Sequence, residues 1–230
     1  MRTEVPAEAP QKFDEYVQSY TDLHAKSLAA SGENPEYFAQ YKLECLKRFG
    51  APKGEALLDY GCGIGNVTSC LATYFETVHG YDPSTQSIDA ARSRMPKATF
   101  HSDPASLPEN HFTTAVISGV LHHVPRPERL GLLEGLLSKL KPGGRLFVFE
   151  HNPLNPMTQR MVKLCEFDDD ADLLWPWDVR NLVRRSGFAS VRLDYIVFFP
   201  KQLASLRPFE PRLRWLPAGA QTLTIGTKGA

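Results

Sequence analysis

The sequence predicts an α/β fold, a three-layer α/β/α sandwich around a seven-stranded, mostly parallel sheet. Three observations carry this. Short apolar runs alternate with helix-like stretches from residue 56 to residue 150, as in a parallel sheet covered by helices on both faces. The first run, Ala56-Leu57-Leu58-Asp59-Tyr60, ends in the glycine turn Gly61-Cys62-Gly63-Ile64-Gly65. A chain of 230 residues buries about 70% of its extended surface on folding, enough for one full-sized core.

The elements follow in order. Residues 1–10 carry two prolines and little apolar content, and an end of that kind is not expected to be ordered. Phe13, Tyr16, Val17 and Tyr20 recur at helical spacing and make one stripe. Ser31-Gly32-Glu33-Asn34-Pro35 breaks it. A second helix is expected from Pro35 to Arg48, with Tyr37, Phe38, Tyr41 and Leu46 on its apolar side. Strands are expected at 56–60, 77–81, 98–101, 113–118 and 145–150, with helices at 66–74, 85–94 and 127–140. In the last of these helices Leu130, Leu133, Leu137 and Leu140 form a core stripe, closed by Lys141-Pro142-Gly143-Gly144. A helix at 177–186 and strands at 189–199 and 220–228 complete the chain.

Composition narrows the function classes. Twenty-six basic and 26 acidic residues leave no net charge, so bulk attraction to nucleic acid is not expected. No apolar stretch approaches the ~18–20 residues of a membrane span, and MRTEVPAEAP has no apolar core of a secretory signal. Cys45, Cys62, Cys70 and Cys165 form no CxxC pair and read as reduced thiols of a cytoplasmic protein.

The glycine loop is the chemical signal. Glycines there let the backbone turn sharply and approach a ligand. Asp59 stands two residues before the first glycine, where an acid suits a positively charged ligand and suits a pyrophosphate badly. A dinucleotide fingerprint wants a third glycine where this chain has Asn66. Asp82 ends the second strand 21 residues after Gly61, where an acid takes the hydroxyls of a ribose. Asp103 follows the third strand, within reach of a base.

These residues resemble the motifs of the class I S-adenosylmethionine (SAM)-dependent methyltransferases. LLDYGCGIGN resembles the first motif and GYDPS the second. HSDPASLP resembles the adenine segment, ISGVLHHV the fourth-strand motif, and LKPGGRLFVFE the turn into the fifth strand. All five stand in order across residues 55–150. The resemblance implies a Rossmann-like sheet with an antiparallel last strand, a helical lid at 1–50 and a methyltransferase domain at 51–230. It also implies roles. Gly61, Gly63 and Gly65 would line the methionine part of SAM, with Asp59 near its amino group. Asp82 and Pro83 would sit at the ribose. Asp103, Pro104 and Ala105 would sit at the adenine, and Ser118 and Gly119 at the sulfonium. Tyr16 and Tyr20, with His24, would belong to the lid; Tyr41 and Lys42 are fainter candidates. Thr113 departs from the family, which often has an acid there.

Three histidines are candidate bases. His122 and His123 follow the fourth strand and His151 ends the fifth, all at the rim where such sheets bind ligands. Histidine is the side chain poised to take a proton near neutral pH; each is equally readable as a hydrogen-bonded structural residue. Similar enzymes work mainly by placing acceptor and methyl in line, so a base is optional. The Asn-Pro steps at 152–153 and 155–156 read as a rigid turn. Aromatic residues at 175, 177, 198, 199, 209 and 215 are candidates for an acceptor wall. Cys62 reads as a small loop residue. The acid run from Asp168 to Asp172 reads as a solvated or capping loop. No metal is expected, because metal-dependent relatives place acids where this chain has Ser118-Gly119 and His151-Asn152.

The expected function is transfer of the SAM methyl to a small molecule, most readily a hydroxyl of a natural product or sugar, leaving S-adenosylhomocysteine (SAH). No nucleic-acid or membrane partner is expected, and the protein is expected as a monomer or homodimer. Rival readings are a nicotinamide oxidoreductase, a SAM-binding protein without methyl transfer such as a cyclase, an N- or C-methyltransferase, and a protein or RNA methyltransferase.

Overall fold

The computed structural model describes residues 31–165 and 171–230. It contains the expected seven-stranded sheet. The strands are β1 (Ala56–Tyr60), β2 (Thr77–Tyr81), β3 (Thr99–His101), β4 (Phe112–Ser118), β5 (Leu140–His151), β6 (Ser190–Ile196) and β7 (Gln221–Thr227). Their order across the sheet is β3-β2-β1-β4-β5-β7-β6. The first five strands run parallel to one another. β7 runs antiparallel to both β5 and β6, so the last strand is inserted inside the sheet. The strand order reverses between β1 and β4, and the crevice at such a reversal is where open α/β sheets bind ligands.

The helices are α1 (Pro35–Arg48), α2 (Asn66–Leu71), α3 (Thr85–Arg94), α4 (Arg129–Lys139), α5 (Pro156–Lys163), α6 (Pro176–Arg185) and the short α7 (Glu210–Leu213). Local chemistry fixes their starts. Asn34 caps α1 through the Tyr37 N–H with Pro35 at the first position, and Ser84 caps α3 through the Ser87 N–H. Asn155 caps α5 by accepting from the N–H groups of Met157 and Thr158. These are the side chains that satisfy orphan donors at a helix start.

Two apolar layers sandwich the sheet, and successive residues of each central strand enter opposite layers. Leu58, Ala115, Ile117, Leu146 and Val148 pack with α4 and α6 on one face. Leu57, Val116, Phe147 and Phe149 pack with Leu43 and Leu46 of α1 on the other. This is the period-two alternation of a pleated strand covered on both sides. No helix among the described residues is long and apolar enough to cross a membrane.

Two expectations need correcting. Lys141–Gly144 does not lie outside the sheet: Leu140 already pairs with Phe112, and β5 reaches its regular register after a bulge. The core stripe of α4 is also shifted by about one residue, with Leu133 and Leu136 buried and Leu130 and Leu137 on its flanks. Residues 1–30, which include Tyr16, Tyr20 and His24, lie outside the described residues, as do 166–170, which include Asp168, Asp169 and Asp170 of the acid run.

Candidate active site

A cavity of about 1190 Å³ opens at the β1/β4 reversal. Its walls include Asp59 to Ile64, Tyr81, Asp82, Pro83, Pro104, Ala105, Ser118 and Gly119, together with His122, His123 and His151. Most of the sequence-predicted residues therefore converge on one space.

The glycine loop is fastened to its own sheet. The N–H groups of Gly61 and Cys62 both donate to the Tyr81 carbonyl, and that of Gly65 to Cys62. The Gly63 N–H donates to Asp82 Oδ2 at 2.9 Å. Four loop N–H groups are thus spent inside the protein, unlike a phosphate-binding nest, which turns its N–H groups toward an anion. Gly61 and Gly63 both have positive φ, but for different uses. A Cβ on Gly61 would lie 2.3 Å from Val120 Cγ2, whereas one on Gly63 would meet nothing within 4 Å. The loop needs Gly61 for packing and leaves bare backbone beside open space at Gly63.

Asp82 accepts from Gly63 with one oxygen and from the Ser84 N–H with the other at 3.0 Å. Asp82 itself lines the cavity. Asp59 is buried and accepts from Thr68 Oγ1 at 2.7 Å. Burial pushes its carboxyl up to about 6, with Thr68 and Lys42 pulling the other way. Burial likewise pushes the Cys62 thiol far up, which keeps it a neutral packing group.

Asp103 follows β3. Its carboxylate is exposed, caps the turn at Pro104–Ser106 by accepting the Ala105 N–H at 2.9 Å, and is not among the cavity walls. The Ala105 N–H is therefore already engaged.

At the β4/β5 end stand the histidines. His122 Nδ1 lies 2.6 Å from Glu150 Oε2, and both side chains are buried. The other Glu150 oxygen accepts from the N–H groups of Leu121 and Val120 at 2.9 and 3.3 Å. Burial alone would raise the Glu150 carboxyl; the charge and hydrogen bond of His122, with His151 and the Leu121 N–H, outweigh it and hold it below the usual range. The rings of His123 and His151 lie 4.2 and 5.2 Å from that of His122, centroid to centroid. The Asp172 N–H donates to the His122 carbonyl, and the Asp172 carboxylate takes Arg126 and Arg129. The end of the acid run thus secures the histidine turn through arginines. Among the described residues no cluster of three or more histidine, cysteine or acidic side chains could hold a metal ion.

Some site residues escaped the sequence reading. Glu150 is one; an acid closing a buried apolar strand was the available signal. The tyrosine pair Tyr60 and Tyr81, with ring centroids 4.4 Å apart, also lines the cavity. Lys42, a faint candidate in the sequence, and Phe38 bring α1 into the wall. Tyr41 instead donates to Glu210 at 2.6 Å, away from the cavity. None of the six aromatic residues proposed for an acceptor wall lines it. Trp175 and Trp177 stack on each other at the surface, and Phe209 and Trp215 are exposed. Met161, Val162, Cys165 and Gln221 occupy that side. The two Asn-Pro steps do make a fixed turn: Asn152 and Asn155 donate to the carbonyls of Gly219 and Ala218, both at 2.7 Å.

A doubly wound sheet with this loop and this acid at the end of β2 is the architecture of a SAM-dependent methyltransferase. The chain belongs to the methyltransferase-domain family, whose profile matches residues 32–193. It is a class I SAM-dependent methyltransferase, with SAM as the methyl donor. An uncharacterized methyltransferase of Synechocystis sp. is 31% identical over 174 residues, which cover 72% of this chain and 79% of that protein. A trans-aconitate 2-methyltransferase of Variovorax paradoxus is 32% identical over 142 residues, covering 56% of this chain; the match spans 54% of that protein. Among solved structures, a SAM-dependent methyltransferase of Thermotoga maritima, described as a possible histamine N-methyltransferase, superposes with a TM-score of 0.71. The identity is 22%, over 96% of this chain and 100% of that one; this likeness shows the fold.

Proposed function

We propose that the enzyme methylates a hydroxyl oxygen of a small molecule, such as a natural product or sugar, with His122 as the proton acceptor. The observation that carries this reading is the buried His122–Glu150 pair on the cavity wall. A carboxylate only accepts hydrogen bonds, so the proton between the two sits on His122 Nδ1. In the neutral form of the ring the basic lone pair is then on Nε2, the arrangement a general base requires. His123 and His151 flank the pair and offer polar contacts to an acceptor.

The donor half of the cavity fits SAM on two counts. The backbone at Gly63 borders open space, and four of the loop's N–H groups are spent, so a sulfonium is not met by a row of donors. Asp82 and Pro83 hold the ribose hydroxyls and their surroundings. Gly61, Gly63, Gly65 and Asp59 bound the methionyl end, Pro104 and Ala105 the adenine, and Ser118 and Gly119 the sulfur. When bound, SAM supplies a methyl group already activated on a sulfonium. The protein's part is then to align the acceptor, exclude water and receive one proton. Phe38 and Lys42 of α1 form one side of the cavity's cover.

A small acceptor is supported by size. Pockets for one drug-sized ligand measure roughly 300–1,000 Å³, so about 1190 Å³ leaves room for the donor and one compact acceptor. The relative named for trans-aconitate methylation points the same way. The test is a panel of small hydroxyl, amine and carbon acceptors incubated with ¹³C-methyl-labelled SAM, with the product read by NMR. Label on oxygen is expected. Label only on nitrogen or carbon overturns the oxygen reading, and label on protein or RNA overturns the small-molecule reading.

A further inference from the structure

The connection from β6 to β7 is turned inside out. A 3₁₀ helix at Lys201–Phe209 runs directly into α7. Surface helices normally bury their apolar side and leave charge in water. Here the charge goes in. Glu210 is buried, and its carboxylate accepts from the Tyr41 hydroxyl at 2.6 Å and from the N–H groups of Phe198 and Phe199 at 3.0 and 3.1 Å. Arg207 pairs with Glu33 at 2.6 Å and lies over the Tyr37 ring. Arg214 lies over the ring of Phe49. Polar groups thus tie the segment to α1 and to the end of β6. The apolar groups stay out: Leu203 and Leu206 are exposed, Phe209 is 50% exposed and Trp215 75%. Leu206 and Phe209 stand three residues apart, which sets them on one side of a 3₁₀ helix. The segment forgoes the stabilisation that burying these side chains would bring.

Place and charge define the missing partner. The segment leads into β7, whose first residue, Gln221, lines the cavity. Asn155 and Thr158 donate to the carbonyls of Ala218 and Ala220, which brings α5, with its exposed Met157, against the same end of the sheet. Between Lys201 and Leu216 the basic residues are Lys201, Arg207, Arg212 and Arg214, and the acid is Glu210, which is turned inward. Lys201 and Arg212 are exposed, and among the described residues neither forms an ion pair. Leucine, phenylalanine and tryptophan framed by cations, with no acid facing out, is the composition of an element that lies in a membrane interface. Tryptophan sits there at headgroup level, and anionic headgroups complement the cations. Docking of this kind needs no membrane-spanning helix.

We propose that residues 201–216 dock the enzyme on an anionic lipid surface, with Leu206, Phe209 and Trp215 entering the interface and Lys201 and Arg212 facing the headgroups. The docked face adjoins the end of the sheet at which the cavity opens.

The test floats the whole chain with two kinds of vesicle, phosphatidylcholine alone and phosphatidylcholine mixed with phosphatidylglycerol. The wild type is expected to bind the mixed vesicles, more weakly as salt is raised. The double variant Leu206→Ser, Phe209→Ser should bind about tenfold or more weakly, from lost apolar burial. Lys201→Gln and Arg212→Gln should each cost roughly fivefold. All four are exposed positions, so melting temperatures at the wild-type value are expected and separate lost docking from lost fold. Brominated lipid should quench the tryptophan fluorescence of the wild type, and Trp215→Phe should lose most of that quenching. No binding to mixed vesicles overturns the proposal. Equal binding to both kinds of vesicle, indifferent to Lys201→Gln and Arg212→Gln, overturns the anionic surface. Binding undiminished in the double variant, or quenching undiminished in Trp215→Phe, places the contact elsewhere and overturns the segment. A wild type that ignores vesicles and forms a dimer which the double variant dissolves assigns the face to a second copy of the chain, and the lipid assignment falls.

Discussion

Glu150 holds His122 by a 2.6 Å contact between Oε2 and Nδ1 while its other oxygen takes two backbone N–H groups from the same turn. The carboxylate therefore sets the position of the ring and the side on which its proton rests. Glu150→Gln keeps the shape but offers an amide N–H where the carboxylate accepted. The imidazole must then turn its lone pair toward Gln and carry its proton on Nε2, the wrong tautomer for a base. The account expects kcat to fall about 10²-fold or more, with SAH affinity and acceptor KM little changed. The acidic limb of the pH–rate profile should also move to lower pH, because His122 loses its anionic partner. A purely structural pair would lower the melting temperature and leave that limb in place.

The two glycines of the loop should respond oppositely to the same change. Gly61→Ala forces a Cβ into left-handed backbone and against Val120. It should destabilise the fold by about 2–4 kcal/mol, from backbone strain and overpacking together. Gly63→Ala meets no protein atom within 4 Å. Its stability cost is about 1 kcal/mol, from backbone conformation alone, but its methyl enters the ligand's space. SAH affinity should fall roughly tenfold or more, by the close-approach role of such glycines. Chemical unfolding and calorimetry on the two variants separate the effects.

Acid should weaken the edge of the sheet at β2 and β3. His79 Nδ1 and His101 Nε2 lie 3.0 Å apart, and the two rings stack at 13°. His101 also meets Ser106 Oγ at 2.8 Å, and the His111 ring lies 5.7 Å from that of His79. Burial, with the charges of His101 and His111, lowers His79 from 6.5 to about 4. The native state therefore binds fewer protons than the unfolded chain between these values, and stability rises with pH in that window. The contribution is complete above pH 6.5 and is lost as pH falls toward 4. The urea midpoint of the wild type should drop across this window, and His79→Gln should flatten the slope. An unchanged slope in the variant would remove His79 as its cause.

Much of this molecule was legible in the residue pattern, for identifiable reasons. The strand runs at 56–60 and 77–81 and the helix at 35–48 were delimited by turns, a cap and a proline, all local signals. Asp82 was legible because a single carboxylate at the end of β2 has a fixed relation to the glycine loop. The bulge that starts β5 at Leu140 was not, since it depends on pairing with Phe112 across the sheet. Lys42 was legible only as a faint candidate because a lysine adds nothing to an apolar stripe; Phe38 and Leu46 of the expected apolar side are buried as read, and Lys42 is buried with them. Glu150 needed its partner, and that partner is 28 residues away in sequence. The aromatic residues of the last third misled because composition says nothing about which side of a layer a ring occupies. Trp175 and Trp177 satisfy each other at the surface.

The most direct test of the site is calorimetric titration of the whole protein with SAH, with NAD as a parallel control. The account predicts saturable SAH binding with one site per chain, lost or strongly weakened in Gly63→Ala, and no binding of NAD. Binding of NAD without SAH, or SAH binding indifferent to Gly63→Ala, would contradict it.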